Sequence, residues 1–125
     1  MLKKKYVFLI LTSFTMICNA QNWIKVDETN ETENFIDTST IKFNGKKFKI
    51  WGITNYKKQE PDGIYSQRYQ DEYDCIKEMR RSTYLSSHSG KFAEGEIKFN
   101  SPINDSWRPI PPGTLGDRIK ILICK

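Results

Sequence analysis

Two cysteines 49 positions apart, Cys75 and Cys124, set the strongest constraint on the fold of this 125-residue chain. Their meaning depends on the opening stretch, MLKKKYVFLILTSFTMICNAQ. Lys3, Lys4 and Lys5 form a basic n-region, Tyr6 to Ile17 is mostly apolar, and Asn19-Ala20 precedes Gln21. That is the layout of a secretory signal over residues 1–20. The apolar run is shorter than the roughly 20 residues of a membrane-spanning helix. The expected cut after Ala20 leaves a mature chain beginning at Gln21. The alternative is lipoprotein processing at Cys18, which would favour a small residue just before the cysteine and Leu two positions earlier. Ile17 and Thr15 stand near those places instead.

In an oxidising compartment an even number of cysteines reads as a disulfide. Cys75 and Cys124 are the two that remain after cleavage, so the expected intramolecular pair is Cys75–Cys124. Two free thiols or an intermolecular bond are the alternatives. A crosslink over 49 positions stabilises by up to about 4 kcal/mol in the chain-entropy view. That is a large share of the roughly 5–15 kcal/mol that holds a small domain. It also ties down a chain end that would otherwise fray.

Export also changes the charge reading. The full chain has 20 Lys+Arg and 15 Asp+Glu, a net +5. Residues 1–20 carry three lysines and no acids, so the expected mature chain has a net charge of +2. A charge this small, on an exported protein, does not call for nucleic acid. No second apolar stretch reaches transmembrane length, and residues 21–125 read as one domain.

The middle of the chain has the period of β-strands. In IKFNGKKFKIWGITNY, Asn44-Gly45 separates two alternating segments, a hairpin signal. Phe48 and Ile50 alternate with Lys47 and Lys49; Trp51 and Ile53 then bring apolar residues to the opposite face. Pro61-Asp62-Gly63 marks a second turn. Residues 64–87 are ambiguous. Read as one strand, Cys75, Lys77, Met79, Arg81, Thr83 and Leu85 share a face. SSHSGKFAEG reads as a loop. Before the hairpin, NWIKVDET and ENFIDTST look like short strands. In the tail Leu115, Ile119, Leu122 and Ile123 fall on one helical stripe. Thr114 with Asp117 three positions later resembles a capping box. The expected fold is α+β, a curved antiparallel sheet of about six strands with a C-terminal helix on one face, fastened by the disulfide.

The chain carries no GxSxG, HExxH, CxxC or glycine-rich phosphate loop. His88 is the only histidine, in a serine-rich stretch that reads as a solvated loop. No metal-ligand spacing is present. Asp71, Glu72 and Asp74 read as a solvated strand edge. A non-catalytic binding domain is therefore expected, with Lys47, Lys49 and Arg81 as candidate partner contacts on solvent-facing strand positions. A periplasmic small-ligand binder is the second reading, and a small hydrolase the third.

Several segments taken in order carry a family resemblance. They are WIKV, FIDTSTIKFNGKKFKIWGITNY, YDCIKEMRRSTYLSSHSGKFAEG and SWRPIPPGTLGDRIKILIC. Their order, and the Asp-Cys…Trp-x-Pro-x-x-Pro…Cys layout, resemble the surface-adhesin protein E family of Gram-negative bacteria. The resemblance implies a curved antiparallel sheet with a disulfide-tethered C-terminal helix. It implies export to the periplasm or cell surface, a host matrix protein as partner, and a homodimer. It also brings haem into view, for which His88 is the candidate ligand; otherwise no cofactor is expected.

Overall fold

The computed structural model describes residues 22–125; the expected signal segment and Cys18 lie outside the described residues. The strands are β1 (Trp23–Glu28), β2 (Thr32–Asn44), β3 (Lys47–Tyr56), β4 (Ser66–Asp74), β5 (Met79–His88), β6 (Ile97–Pro102) and β7 (Arg108–Pro109). A 3-10 turn, Lys91–Ala93, lies between β5 and β6, and the α-helix α1 (Leu115–Ile123) follows β7. The first six strands pair with their sequence neighbours in the order β1-β2-β3-β4-β5-β6, all antiparallel. The short β7 pairs with the start of β5, beyond the end of β6.

Alternation along β3 sorts the sheet into two faces. Phe48 and Ile50 point to the face that carries α1. They meet Ile36, Tyr73, Ile110 and Ile119 in the buried core, with Val26, Leu115 and Ile123 packed at its margin. Phe48 and Tyr73 stack with ring centroids 4.9 Å apart. Farther along this face the ring of Tyr69 lies across Gly52, its cross-strand partner. Any side chain at position 52 would collide with that ring. Ile53 points the other way and is equally buried, so β3 is covered on both faces toward its end.

The expected α+β architecture is present, with differences in detail. Asn44 is the last residue of β2 and pairs with Lys47, so the turn centres on Gly45 and Lys46 rather than on Asn44-Gly45. Gly45 supplies the left-handed backbone, with φ 63°. The ENFIDTST segment continues unbroken into the hairpin strand. Its register with β3 shifts between Asp37 and Lys42, where the Asp37 carboxylate accepts bonds from the Ser39 amide and hydroxyl.

The region read as one ambiguous strand is two, reversing at Cys75–Glu78. No glycine or proline marks this turn. Asp74 makes it instead: its Oδ1 accepts from the amides of Ile76 at 3.0 Å and Lys77 at 2.9 Å, and Glu78 takes φ 52°. The Lys77 bond foremost holds the Asp74 carboxyl below the usual carboxylate range. A register shift between Gln70 and Asp71 then separates Arg81 and Leu85, which the one-strand reading placed on a common face.

Asp71 and Asp74 are buried, not on a solvated edge. Burial raises the Asp71 carboxyl's pKa, with Arg80 Nη1 3.5 Å away as its partial counter-charge.

Helix α1 starts as its sequence implies. Thr114 Oγ1 accepts from the Asp117 amide at 3.3 Å, and Asp117 returns the cap by accepting from the Gly113 amide at 3.0 Å. Ile119 is buried, but Leu122 is 50% exposed, so the stripe turns outward in the last turn. A nine-residue helix is too short to persist alone in water. Packing holds its middle, and the Cys75–Cys124 disulfide, with Cα atoms 5.6 Å apart, holds its end. Replacing Cys124 (Cys124→Ser) is expected to destabilise the protein by about 2–4 kcal/mol. The amides of residues 115–123 should then exchange hydrogen ahead of those in β3 and β4. Unchanged exchange across α1 would contradict the tether.

Candidate functional site

The sheet face opposite α1 brings the three candidate contact residues together. Lys47 and Lys49 occupy consecutive outward positions on β3. Lys49 lies across from Glu72 on β4, and Glu72 lies across from Arg81 on β5. Arg81 donates from Nε to Glu72 Oε1 at 2.8 Å, and its Nη2 lies 2.7 Å from the same oxygen. Trp107, from the segment before β7, leans over this row. Its ring centroid is 4.7 Å from the Arg81 guanidinium and 5.3 Å from Lys47 Nζ.

A second cation–aromatic group continues the row. Arg68 stacks over Trp51 at 4.3 Å, and Trp51 meets Tyr84 edge-on, with centroids 5.5 Å apart. Each such pair is worth roughly 0.5–1 kcal/mol at an exposed site. Together they hold long side chains in place that would otherwise sweep freely through solvent.

The surface is positive. Lys42, Lys47, Lys49, Arg68 and Arg81 share this face with Asp37, Glu72 and Asp74; Asp37 is buried and bonded to Ser39, and Asp74 spends one oxygen on its own turn. What remains is a half-buried platform of two tryptophans, a tyrosine and five cations. Tryptophan, tyrosine and arginine are the residues that concentrate binding energy at protein interfaces. The platform offers guanidinium and ammonium donors to carboxylates, and flat rings to apolar or amide groups. Trp107 had no signal of its own in the sequence, because it comes from an irregular segment. Trp51 could have been placed here by its alternation with Lys47 and Lys49.

His88 is not a solvated loop residue. It ends β5, is 5% exposed, and its Nε2 lies 2.7 Å from Ser86 Oγ. Its Nδ1 is buried with no partner among the described residues. The following segment closes over it. Ser66 Oγ donates to the Gly90 carbonyl at 2.6 Å and accepts from the Ala93 amide at 2.9 Å, while Asn55 Oδ1 accepts from the Phe92 amide at 2.8 Å. Phe92 and Ala93 both take left-handed backbone, which lets Phe92 pack on Phe35 at 5.0 Å. The His88 ring is thus held in the interior, with Nε2 against Ser86 and Nδ1 buried.

Residues 23–125 match the family profile described as surface-adhesin protein E. The chain belongs to the surface-adhesin protein E family. Its architecture agrees with that of solved Haemophilus influenzae protein E structures. One crystal form shares 14% identity over 81% of this chain and 95% of that one, with a TM-score of 0.57. The structure from non-typeable Haemophilus influenzae shares 12% identity over 84% and 85% of the two chains, with a TM-score of 0.52. At these identities the likeness establishes the fold alone. No curated protein matches the chain. Family membership makes this adhesin-E chain an exported surface adhesin of Gram-negative type, and no helix among the described residues is long and apolar enough to cross a membrane.

Burial, with Arg68 adding to it, lowers the pKa of His88. A histidine held neutral in the fold contributes fully above its unfolded pKa of about 6.5 and loses that contribution as pH falls, because the unfolded chain takes up the proton first. The His88 contribution to wild-type stability is therefore expected to fall as pH drops through about 6.5, by less than about 1.4 kcal/mol per pH unit. Denaturant titrations of His88→Gln should show a flatter profile around that pH. Equal slopes would contradict a buried neutral His88.

Proposed function

We propose that this adhesin-E protein works without catalysis, by docking the helix-free sheet face on an acidic surface of a host matrix protein. The cation–aromatic platform of Lys47, Trp107, Arg81, Trp51 and Arg68 carries the reading. It presents large, rigid rings beside a net positive charge; Glu72 orients Arg81 and offsets its charge, and Lys47, Lys49 and Arg68 supply the field. Electrostatic complementarity of this kind speeds encounter and selects acidic partners, while the rings supply the desolvated centre. The expected secretion of residues 21–125 after cleavage at Ala20 is consistent with this role.

Lys47 and Lys49 are exposed, so replacing them leaves the core intact. The Lys47→Glu/Lys49→Glu protein is expected to keep its melting temperature and to bind immobilised extracellular-matrix proteins about tenfold or more weakly than wild type, the equivalent of about 1.4 kcal/mol. Wild-type binding should also weaken as salt rises. Undiminished binding by the double variant would place the contact elsewhere on the molecule.

A further inference from the structure

Two chain reversals and the end of α1 meet at one end of the molecule, and each carries an apolar side chain facing water. Phe43 enters the β2–β3 turn at 62% exposure, Ile76 is the crest of the β4–β5 turn at 72%, and Ile121 and Leu122 in the last turn of α1 are 63% and 50% exposed. The three are held as one unit. The Cys75 amide donates to the Lys46 carbonyl at 3.0 Å, joining the two turns, and the disulfide adds the helix end. A cleft of about 360 Å³ between Phe43, Ile76 and Ile123 opens beside the bond.

Lysines ring this tip. Lys46 and Lys125 border the cleft, and Lys77 follows Ile76 on the neighbouring side. The nearby carboxylates do not balance them. Asp74 stays ionised and faces Lys47 and Lys77, and Glu78 is paired with Lys120 at 2.9 Å, which leaves Lys46 and Lys125 without a carboxylate partner among the described residues.

We infer that this tip is a docking site for an anionic phospholipid surface. Its shape decides between occupants. A stable protein interface needs roughly 800 Å² of fitted surface on each side, whereas the apolar surface here stands out as separate protrusions, Phe43, Ile76 and the Ile121–Leu122 pair, around a cleft. A bilayer interface accepts protruding Phe, Ile and Leu without shape complementarity, and lysines around them reach anionic headgroups. A second copy would set lysine against lysine. The site adjoins the helix-free face, with Lys47 on the border between them, and its apolar tips lie beyond that face, so an adhesin would hold its protein partner on one surface and rest its disulfide end on a membrane.

The test is sedimentation of the exported protein with vesicles. One set is phosphatidylcholine, and the other contains roughly a third phosphatidylglycerol, an anionic fraction large enough to attract clustered lysines. The expected result is binding to the anionic vesicles at least about fivefold above the neutral ones, lost in high salt. Phe43→Ser/Ile76→Ser and, separately, Lys46→Gln/Lys77→Gln should each abolish it with the protein still folded, the first pair at a lower melting temperature because Phe43 gives up its ring contact with Phe48, while Lys47→Glu/Lys49→Glu retains part of it. Equal binding to both vesicle sets, or full binding by Phe43→Ser/Ile76→Ser, would overturn the proposal. So would a wild-type dimer that Phe43→Ser/Ile76→Ser makes monomeric without any vesicle binding, since that result assigns the tip to a second copy.

Discussion

The Cys75–Cys124 bond joins the end of α1 to the turn between β4 and β5, while a backbone hydrogen bond joins that turn to the one between β2 and β3. Every strand in the centre of the sheet therefore has one end fixed at a common joint. The helix is too short to stand by itself, and its buried surface is largely Ile119 with Leu115 and Ile123 at the margin. Without the crosslink those few contacts would have to offset the full cost of ordering the tail. With it, the unfolded chain has already lost much of its freedom, and a thin core is sufficient.

Pinning α1 to one face leaves the other free for binding, and the close approaches on the helix side show how fully the two roles are divided. Gly52 lets the Tyr69 ring lie flat on the sheet. Gly116 weakens α1 as a helix former, yet a Cβ there would press on the Arg80 side chain at 3.1–3.4 Å, so its absence lets the helix start sit close to the sheet. On the opposite face the close approaches lie in the 89–95 segment, where a Cβ at Gly95 would collide with the Ser89 side chain. One end is closed by the 89–95 segment over His88, and the rest is left to the cation–aromatic row. The same alternation that buries Phe48 and Ile50 therefore exposes Lys47 and Lys49.

Much of this was legible in the residues. The Lys47–Ile53 alternation correctly placed an apolar and a basic face and forecast the switch at Trp51-Gly52-Ile53. Thr114 and Asp117 marked the helix start, and the cysteines marked its tether. The β4–β5 turn was hidden because a side chain makes it: Asp74 replaces the glycine or proline that usually announces a reversal. That omission also hid the faces of β5, since the shifted register near Asp71 sets Arg81 apart from Leu85. His88 looked like a loop residue because serines surround it, but Ser86 and Ser87 are strand positions whose hydroxyls suit a buried polar edge. Trp107 could not be assigned at all. Its place over Arg81 depends on how an irregular segment returns to pair β7 with β5, a long-range event with no local pattern.

The central claim is that the helix-free face meets the protein partner. Hydroxyl-radical footprinting of the exported protein, alone and bound to a matrix protein, addresses it most directly, because tryptophan and tyrosine report their own solvent access. Trp107, Trp51 and Tyr84 should lose reactivity several-fold in the complex, while the exposed Ile121 and Leu122 of α1 keep theirs. Protection confined to α1, with Trp107 and Trp51 as reactive as in the free protein, would contradict the account.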